Sequence, residues 1–317
     1  MPELPETETI ARDLHAEVAG AVIVSAAVRR ADVLRPAAFR RGAGPAAFAA
    51  RLAGAGIEGV WRRAKQVVLD LDSGDRLVAQ PRFTGALVLV AAAGVAADAP
   101  LPTGQHDAVG RADDPFTCVT LHLADGRALA YRDVRRLGTL SLLDASGWTT
   151  ADVALGPEPL DAAFTPARLS AILRGSRQVV KAVLMDQRRI AGVGNIYATE
   201  ACWRAGLDPS REARRVAADD AAVARLHEGL VGVLRESIAA RGTTFRDFRD
   251  AYGGRGGVAP RVPADGGGGG PGGRGGVAAR VQAYGRAGAP CARCGRRLVG
   301  THAVDGRMTV FCPGCQA

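Results

Sequence analysis

The sequence predicts an α+β protein: an antiparallel β-structure first, helices after it, and a metal-binding module at the end. Three observations predict this. Short strand-like runs separated by turns fill the chain up to residue 143, helical spacing takes over from residue 165, and four cysteines crowd into residues 291–315. Many short strands joined by turns argue for an antiparallel sandwich or barrel and against a βαβ array.

Residues 7–18 carry Ile10, Leu14 and Val18 at helical spacing and close at Gly20. The lead-in Met1-Pro2-Glu3-Leu4-Pro5-Glu6 has two prolines, so it is expected to be extended, not helical. Strands are expected at 22–28, 57–61, 66–71, 77–79, 86–90, 118–123, 128–131 and 139–143. Asp72-Ser-Gly-Asp75 and Asp125-Gly126 supply hairpin turns between them. Residues 91–115 have no period and read as a surface loop.

Leu155-Gly-Pro-Glu-Pro-Leu160 reads as a linker. Thr165-Pro166 is an N-cap and first-turn pair for a helix through Leu173. Further helices fit 179–185, 196–205 stopped by Gly206, and 219–240 stopped by Gly242. Residues 253–276 are mostly glycine, cannot bury a core and are expected to form a mobile loop. The expected organisation is therefore a β domain over 1–150, a linker over 151–160, a helical domain over 161–252, the loop over 253–280 and a cysteine module over 281–317.

Net charge is +9 and the pI about 9.8, which suits a polyanionic partner. Almost all basic residues are arginine, so the two lysines, Lys65 and Lys181, are candidates for contacts that a compact ammonium serves. No apolar run approaches the ~18–20 residues of a membrane span, and the start lacks the basic-then-apolar pattern of a secretory signal. A cytoplasmic, nucleoid-associated protein without a membrane partner is expected, and in a reducing compartment disulfides are disfavoured.

Cys291-Ala-Arg-Cys294 and Cys312-Pro-Gly-Cys315 form C-x2-C-x17-C-x2-C. Two such knuckles offer four thiolates to one structural zinc and leave no open position for chemistry. Between them the chain reads as a hairpin turning at Asp305-Gly306, with Arg307 at the turn either as a solvated surface arginine or as a phosphate contact. Asp186-Gln187 and Ile190-Ala-Gly192-Val-Gly194-Asn195-Ile-Tyr197 place a glycine turn before a helix, with Asn195 as the expected N-cap. A helix mouth of this kind attracts a phosphate, although such a segment taken alone is more often just a turn. At the other end, removal of Met1 would leave the secondary amine of Pro2 at the terminus. Such an amine titrates near ~8 and is partly nucleophilic at neutral pH, with Glu3 beside it to move protons.

The MPELPE start, the Asp-Gln…Ala-Gly-x-Gly-Asn-Ile-Tyr-Ala segment and the Tyr-Gly-Arg…Cys-x-x-Cys…Cys-Pro-x-Cys-Gln finger together resemble the Fpg/Nei family of DNA glycosylases. Leu4 resembles its formamidopyrimidine branch more than its endonuclease VIII branch. The resemblance implies an N-terminal β-sandwich flanked by helices, then a helix–two-turn–helix domain with a four-cysteine zinc finger, with DNA in the cleft between.

It implies a monomeric bifunctional glycosylase/AP lyase acting on duplex DNA that carries oxidised bases or abasic sites. The favoured bases are oxidised purines such as 8-oxoguanine and formamidopyrimidines, released through a Schiff base and β,δ-elimination. Pro2 matches the nucleophile, Glu3 the general acid/base, Glu6 the second acid, and Lys65 a phosphate-binding lysine. Asn195 and Arg307 match residues that clamp phosphates, and Lys181 is a further DNA-binding candidate.

Where the family fills the gap left by a flipped nucleotide with Met, Arg and Phe, this chain reads Gln80-Pro-Arg-Phe83-Thr-Gly85 and Asp133-Val-Arg135-Arg-Leu137-Gly138. Phe83, Arg135 and Leu137 would form the wedge, with ordinary core packing of Phe83 and Leu137 as the alternative. The swollen glycine run follows a family-like Gly242-Thr-Thr-Phe-Arg-Asp-Phe248, which leaves base preference open. The rival readings are a preference for oxidised pyrimidines and a catalytically silent, damage-binding zinc protein.

Overall fold

The computed structural model of the chain describes residues 2–35, 44–91, 114–242, 248–253 and 281–317. The expected loop at 91–115 and the glycine run at 253–276 lie almost wholly outside the described residues. The described chain divides into two compact units: Pro2 and residues 6–154 with 248–253, and residues 3–5 with 155–242 and 281–317. No described helix is long and apolar enough to cross a membrane.

The first helix, α1 (Leu4–Val18), begins at Leu4, so the extended lead-in expected before Thr7 is corrected. First-turn N–H groups have no intrahelical acceptor, so Pro5 loses no hydrogen bond there, and Glu6 complements the positive helix end. Ile10, Leu14 and Val18 are buried, as their spacing predicts.

Among the described residues, the first unit holds eight strands in two antiparallel sheets. Those are β1 (Ile23–Val28), β2 (Ile57–Arg63), β3 (Gln66–Leu71), β4 (Arg76–Gln80), β5 (Gly85–Val90), β6 (Thr117–Leu123), β7 (Ala128–Asp133) and β8 (Thr139–Leu143). One sheet runs β1-β6-β7-β5 and the other β2-β3-β4-β8. Alternation decides which side chains go inward. Val67, Leu69, Leu71, Leu77 and Leu142 share one core with Ile23, Leu87, Leu89, Leu121, Leu129 and Tyr131 of the other sheet, which makes the unit a sandwich. Gly74 and Gly126 take positive φ at the two hairpin turns that the sequence marks.

Two helices here had no sequence expectation. In α2 (Pro45–Leu52), Phe48 and Leu52 enter the sandwich core. In α3 (Ala145–Val153), the Asp144 side chain accepts the Gly147 N–H as N-cap, and Trp148 covers Val68 and Val78 on the outward face of β3 and β4. Phe248 and Ala251 also belong to this core, and the Leu89 N–H donates to the Ala251 carbonyl at 2.8 Å. Residues 248–253 thus pack with the sandwich, not with the helical domain expected over 161–252.

The second unit contains α4 (Pro166–Arg174), α5 (Val180–Met185), α6 (Asn195–Ala205), α7 (Ala213–Val216) and α8 (Asp220–Ala239), with β9 (Val299–Thr301) and β10 (Thr309–Phe311). Thr165 caps α4 by accepting the Arg168 N–H, and Asp219 caps α8 by accepting the Ala222 N–H. Gly206 ends α6 in the left-handed conformation at φ 65°, a geometry that suits glycine. The proline-marked linker segment is hydrogen-bonded within this unit, with Gly156 N–H donating to the Gln187 carbonyl and Ala191 N–H to the Pro157 carbonyl. Almost every residue of α6 is buried, which makes it the axis on which the unit is assembled. Trp203 at its end packs against Ala283, Leu298 and Val310 of the finger.

Candidate active site and nucleic-acid interface

Within the second unit, Glu3 is anchored at the start of α6. Its carboxylate accepts the backbone N–H of Ile196 at 3.0 Å and of Tyr197 at 3.4 Å, and it is buried. The Leu4 N–H donates to the Gly192 carbonyl at 3.0 Å, fixing the chain on the other side of Glu3. The helix mouth that the sequence suggested for a phosphate therefore holds this side chain instead, because the positive helix end and its orphan N–H groups favour the carboxylate.

Two glycines make the approach possible. A Cβ at Gly194 would lie 2.4 Å from the Glu3 carboxyl carbon, and one at Gly192 would lie 2.7 Å from Leu4 Cδ1. Gln187 shapes this turn, donating to the carbonyls of Met185 and Val193 and accepting the Gly192 N–H. The N-cap is Gly194, not Asn195; Asn195 is the first helical residue, and its Nδ2 donates to the Met308 carbonyl at 3.0 Å.

Gly194→Ala should therefore push the carboxylate out of place without touching its chemistry. With Glu3 as the acid/base that the resemblance implies, base excision is expected to fall towards the roughly 10²–10⁴-fold loss of an absent general acid/base, with affinity for abasic duplex retained. Unchanged excision would mean that the anchored position is not the working one.

Around the finger, Arg307 is exposed at the hairpin turn, where Gly306 takes φ 77°. Lys181 behaves differently from its expectation. Its side chain is fully buried, and its ammonium donates to Asp305 at 3.0 Å and to Thr309 Oγ1 at 2.8 Å. Burial lowers its pKa below the usual lysine value, against the opposing pull of the Asp305 carboxylate. Lys181 offers no surface charge to DNA, and the DNA contact expected of it is corrected.

The four cysteines converge, with all four Sγ atoms within 4.8 Å of one another. Cys291 and Cys315 lie 4.0 Å apart and Cys294 and Cys312 3.5 Å apart. Tetrahedral thiolates bound at ~2.3 Å sit about 3.8 Å from each other, so the set fits a zinc ion.

In the first unit, Pro2, Glu6 and Lys65 are all buried. Lys65 sits in the tight turn between β2 and β3, where Ala64 takes φ 54°. Phe83, Arg135 and Leu137 are exposed at two loop tips, Phe83 at 40% and Leu137 at 44%, so neither apolar side chain is core. The Arg135 guanidinium lies 4.3 Å from the Phe83 ring centroid, a cation–π contact.

Phe83 at φ 48° and Arg136 at φ 52° occupy a left-handed conformation that costs bulky residues energy and is held by the surrounding loops. Asp133 holds them: one carboxylate oxygen accepts from Thr84 at 2.6 Å and from the Arg135 N–H at 3.1 Å. The other oxygen accepts the Gly138 N–H at 2.8 Å. Sequence reasoning passed over Thr84 and Asp133, although an acid heading the loop before Arg135 was the available signal.

Comparison with known proteins places this geometry. Residues 1–140 match the Formamidopyrimidine-DNA glycosylase N-terminal domain, and residues 155–249 the Formamidopyrimidine-DNA glycosylase H2TH domain. The pair defines the class, a DNA glycosylase with a β-rich N-terminal domain and a helix–two-turn–helix domain. A relative from Roseiflexus sp. (strain RS-1), named Formamidopyrimidine-DNA glycosylase, is 39% identical over 316 residues and covers 100% of both chains.

The crystal structure of MutM (Fpg) from Thermus thermophilus is similar with a TM-score of 0.76. It is 34% identical, covering 99% of this chain and 98% of that one. A mutant Lactococcus lactis Fpg solved with Fapy-dG-containing DNA also has a TM-score of 0.76, at 26% identity and 99% coverage of both chains. The chain belongs to the formamidopyrimidine-DNA glycosylase family.

Proposed function

We propose that the chain is a bifunctional glycosylase/AP lyase that removes oxidised purines, formamidopyrimidines and 8-oxoguanine, from duplex DNA. The observation that carries this reading is the Glu3 carboxylate, anchored on α6 and adjacent in the chain to Pro2. With Met1 removed, the Pro2 amine attacks C1′ of the damaged nucleotide and the base departs with the bond electrons. Glu3 supplies and later removes the protons that ring opening and imine formation require. The resulting Schiff base acidifies the neighbouring C2′ hydrogens, so β- and then δ-elimination expel the two phosphates and cut the strand. Lys65, Asn195 and Arg307 hold phosphates, and a structural zinc at Cys291, Cys294, Cys312 and Cys315 folds the finger. The protein acts as a monomer in this reading. The L. lactis relative's capture with Fapy-dG DNA supports the choice of substrate.

Phe83, Arg135 and Leu137 fill the stack when the nucleotide leaves it. Their exposure and the hydrogen-bonded loops beneath them support this role. Phe83→Ala should slow excision from well-paired duplex, by the loss of a stacking contact of ~1–3 kcal/mol. Cutting at an abasic site, where no base is extruded, should change little, and melting temperature should stay near that of the parent. A uniform defect on both substrates would contradict the wedge.

A nicking assay across duplexes carrying 8-oxoguanine, formamidopyrimidine and oxidised pyrimidines tests the proposal. Cleavage strongest at the oxidised purines supports it. Preference for the pyrimidines overturns the substrate assignment, and binding without cleavage overturns the enzymatic reading.

A further inference from the structure

We propose that Lys181 is a positioning residue for Arg307, a buried brace that sets the finger's turn from within the helical unit; this rests on the reading of Arg307 as a phosphate contact. The Lys181 ammonium on α5 spans Asp305 Oδ1 at 3.2 Å, Asp305 Oδ2 at 3.0 Å and Thr309 Oγ1 at 2.8 Å. Asp305 Oδ1 also accepts the Arg307 backbone N–H at 3.1 Å, so one carboxylate joins the buried cation to the residue that bears the exposed guanidinium.

Thr309 Oγ1 in turn contacts the Arg307 carbonyl at 3.2 Å, so both backbone polar groups of Arg307 are held by side chains that Lys181 touches. A second tie reaches the same helix, with Arg307 Nη1 3.9 Å from Met185 Sδ at the end of α5. Lys181 is 0% exposed and Asp305 6% exposed at their side chains. Removing one member of such a buried pair leaves the other charge uncompensated, and the turn must rearrange. A two-stranded hairpin with strands of three residues each has little rigidity of its own, so the aim of Arg307 is set by this brace.

The test uses full-length, zinc-loaded protein and a duplex carrying a tetrahydrofuran abasic analogue, reading affinity against salt. Arg307→Ala should lower the magnitude of the salt slope by about one, the share of a single phosphate contact. Lys181→Met should lower it by the same amount, and the double variant should show no further fall. A zinc content of one per chain in each variant keeps the finger fold under control. Where Lys181→Met loses zinc, Asp305→Ala, which removes both the partner of the ammonium and the acceptor of the Arg307 N–H, is read for the same slope and the same lack of additivity.

A parental slope in the zinc-loaded brace variant overturns the brace while leaving Arg307 as a contact. A fall of about two in the double variant also overturns it, because Lys181 would then act independently. An unchanged slope in Arg307→Ala overturns the underlying assignment of Arg307, and the brace with it.

Discussion

Protein that carries one additional residue ahead of Pro2 is expected to lose both base excision and strand cutting, while still binding abasic duplex with nearly parental affinity. The extension turns the secondary amine into a tertiary amide. Its nitrogen lone pair is delocalised into the carbonyl, so it can neither attack C1′ nor form an imine. No charged side chain is altered, and the phosphate contacts assigned to Lys65, Asn195 and Arg307 remain. Pro2 is already buried, so the added residue must also find room at the start of α1. Comparing binding with cutting separates that effect, because misplacing the segment would weaken both. Normal cutting by an extended, uncleaved protein would remove Pro2 from the mechanism.

Glu3→Gln is expected to divide the two activities. A glutamine has the size of the carboxylate and its amide oxygen can still accept from the Ile196 N–H, so the packing against Gly194 survives. What it loses is proton transfer, a contribution of roughly 10²–10⁴-fold. Base release needs that proton, since the departing base and the opening sugar ring are poor leaving systems. A ready-made abasic site already offers an aldehyde to the amine and should lose much less. The ratio of single-turnover rates on the two substrates checks this, and equal losses would count against Glu3 as the acid/base.

Most of the framework was legible in the sequence because it follows from local patterns. Short strand-like runs bounded by turns located the eight described sandwich strands to within a few residues, and Thr165, Gly206 and the two hairpin turns acted as their chemistry predicts. The cysteine spacing likewise anticipated a cluster that the fold closes. The misses have physical reasons. Pro5 looked like a helix breaker because its first-turn position was not recognised. In α3, Trp148 is the single buried residue, so no apolar stripe advertises the helix, and only the Asp144 cap could have. In α7, four residues are too few to show a period.

At the candidate site, residue types were readable but their contacts were not. The helix mouth at Gly194 looks the same in sequence whether it receives a phosphate or a carboxylate from residue 3; the distance between them in the chain hides the pairing. Lys181 was singled out for its rarity, yet its partner Asp305 lies far along the chain, and burial turned an expected surface cation into an internal one. Phe83 and Leu137 could be read as wedge or core until their exposure was known.

Borohydride trapping on a duplex with a single abasic site, followed by mass mapping of the cross-linked peptide, tests the central claim most directly. Reduction freezes the imine as a stable amine, so the adduct reports which nitrogen formed it. A covalent complex whose DNA remnant maps to Pro2 in the N-terminal peptide is the predicted result. An adduct mapped to Lys65 or to any other residue, or no adduct from protein that cuts the same duplex, would contradict it.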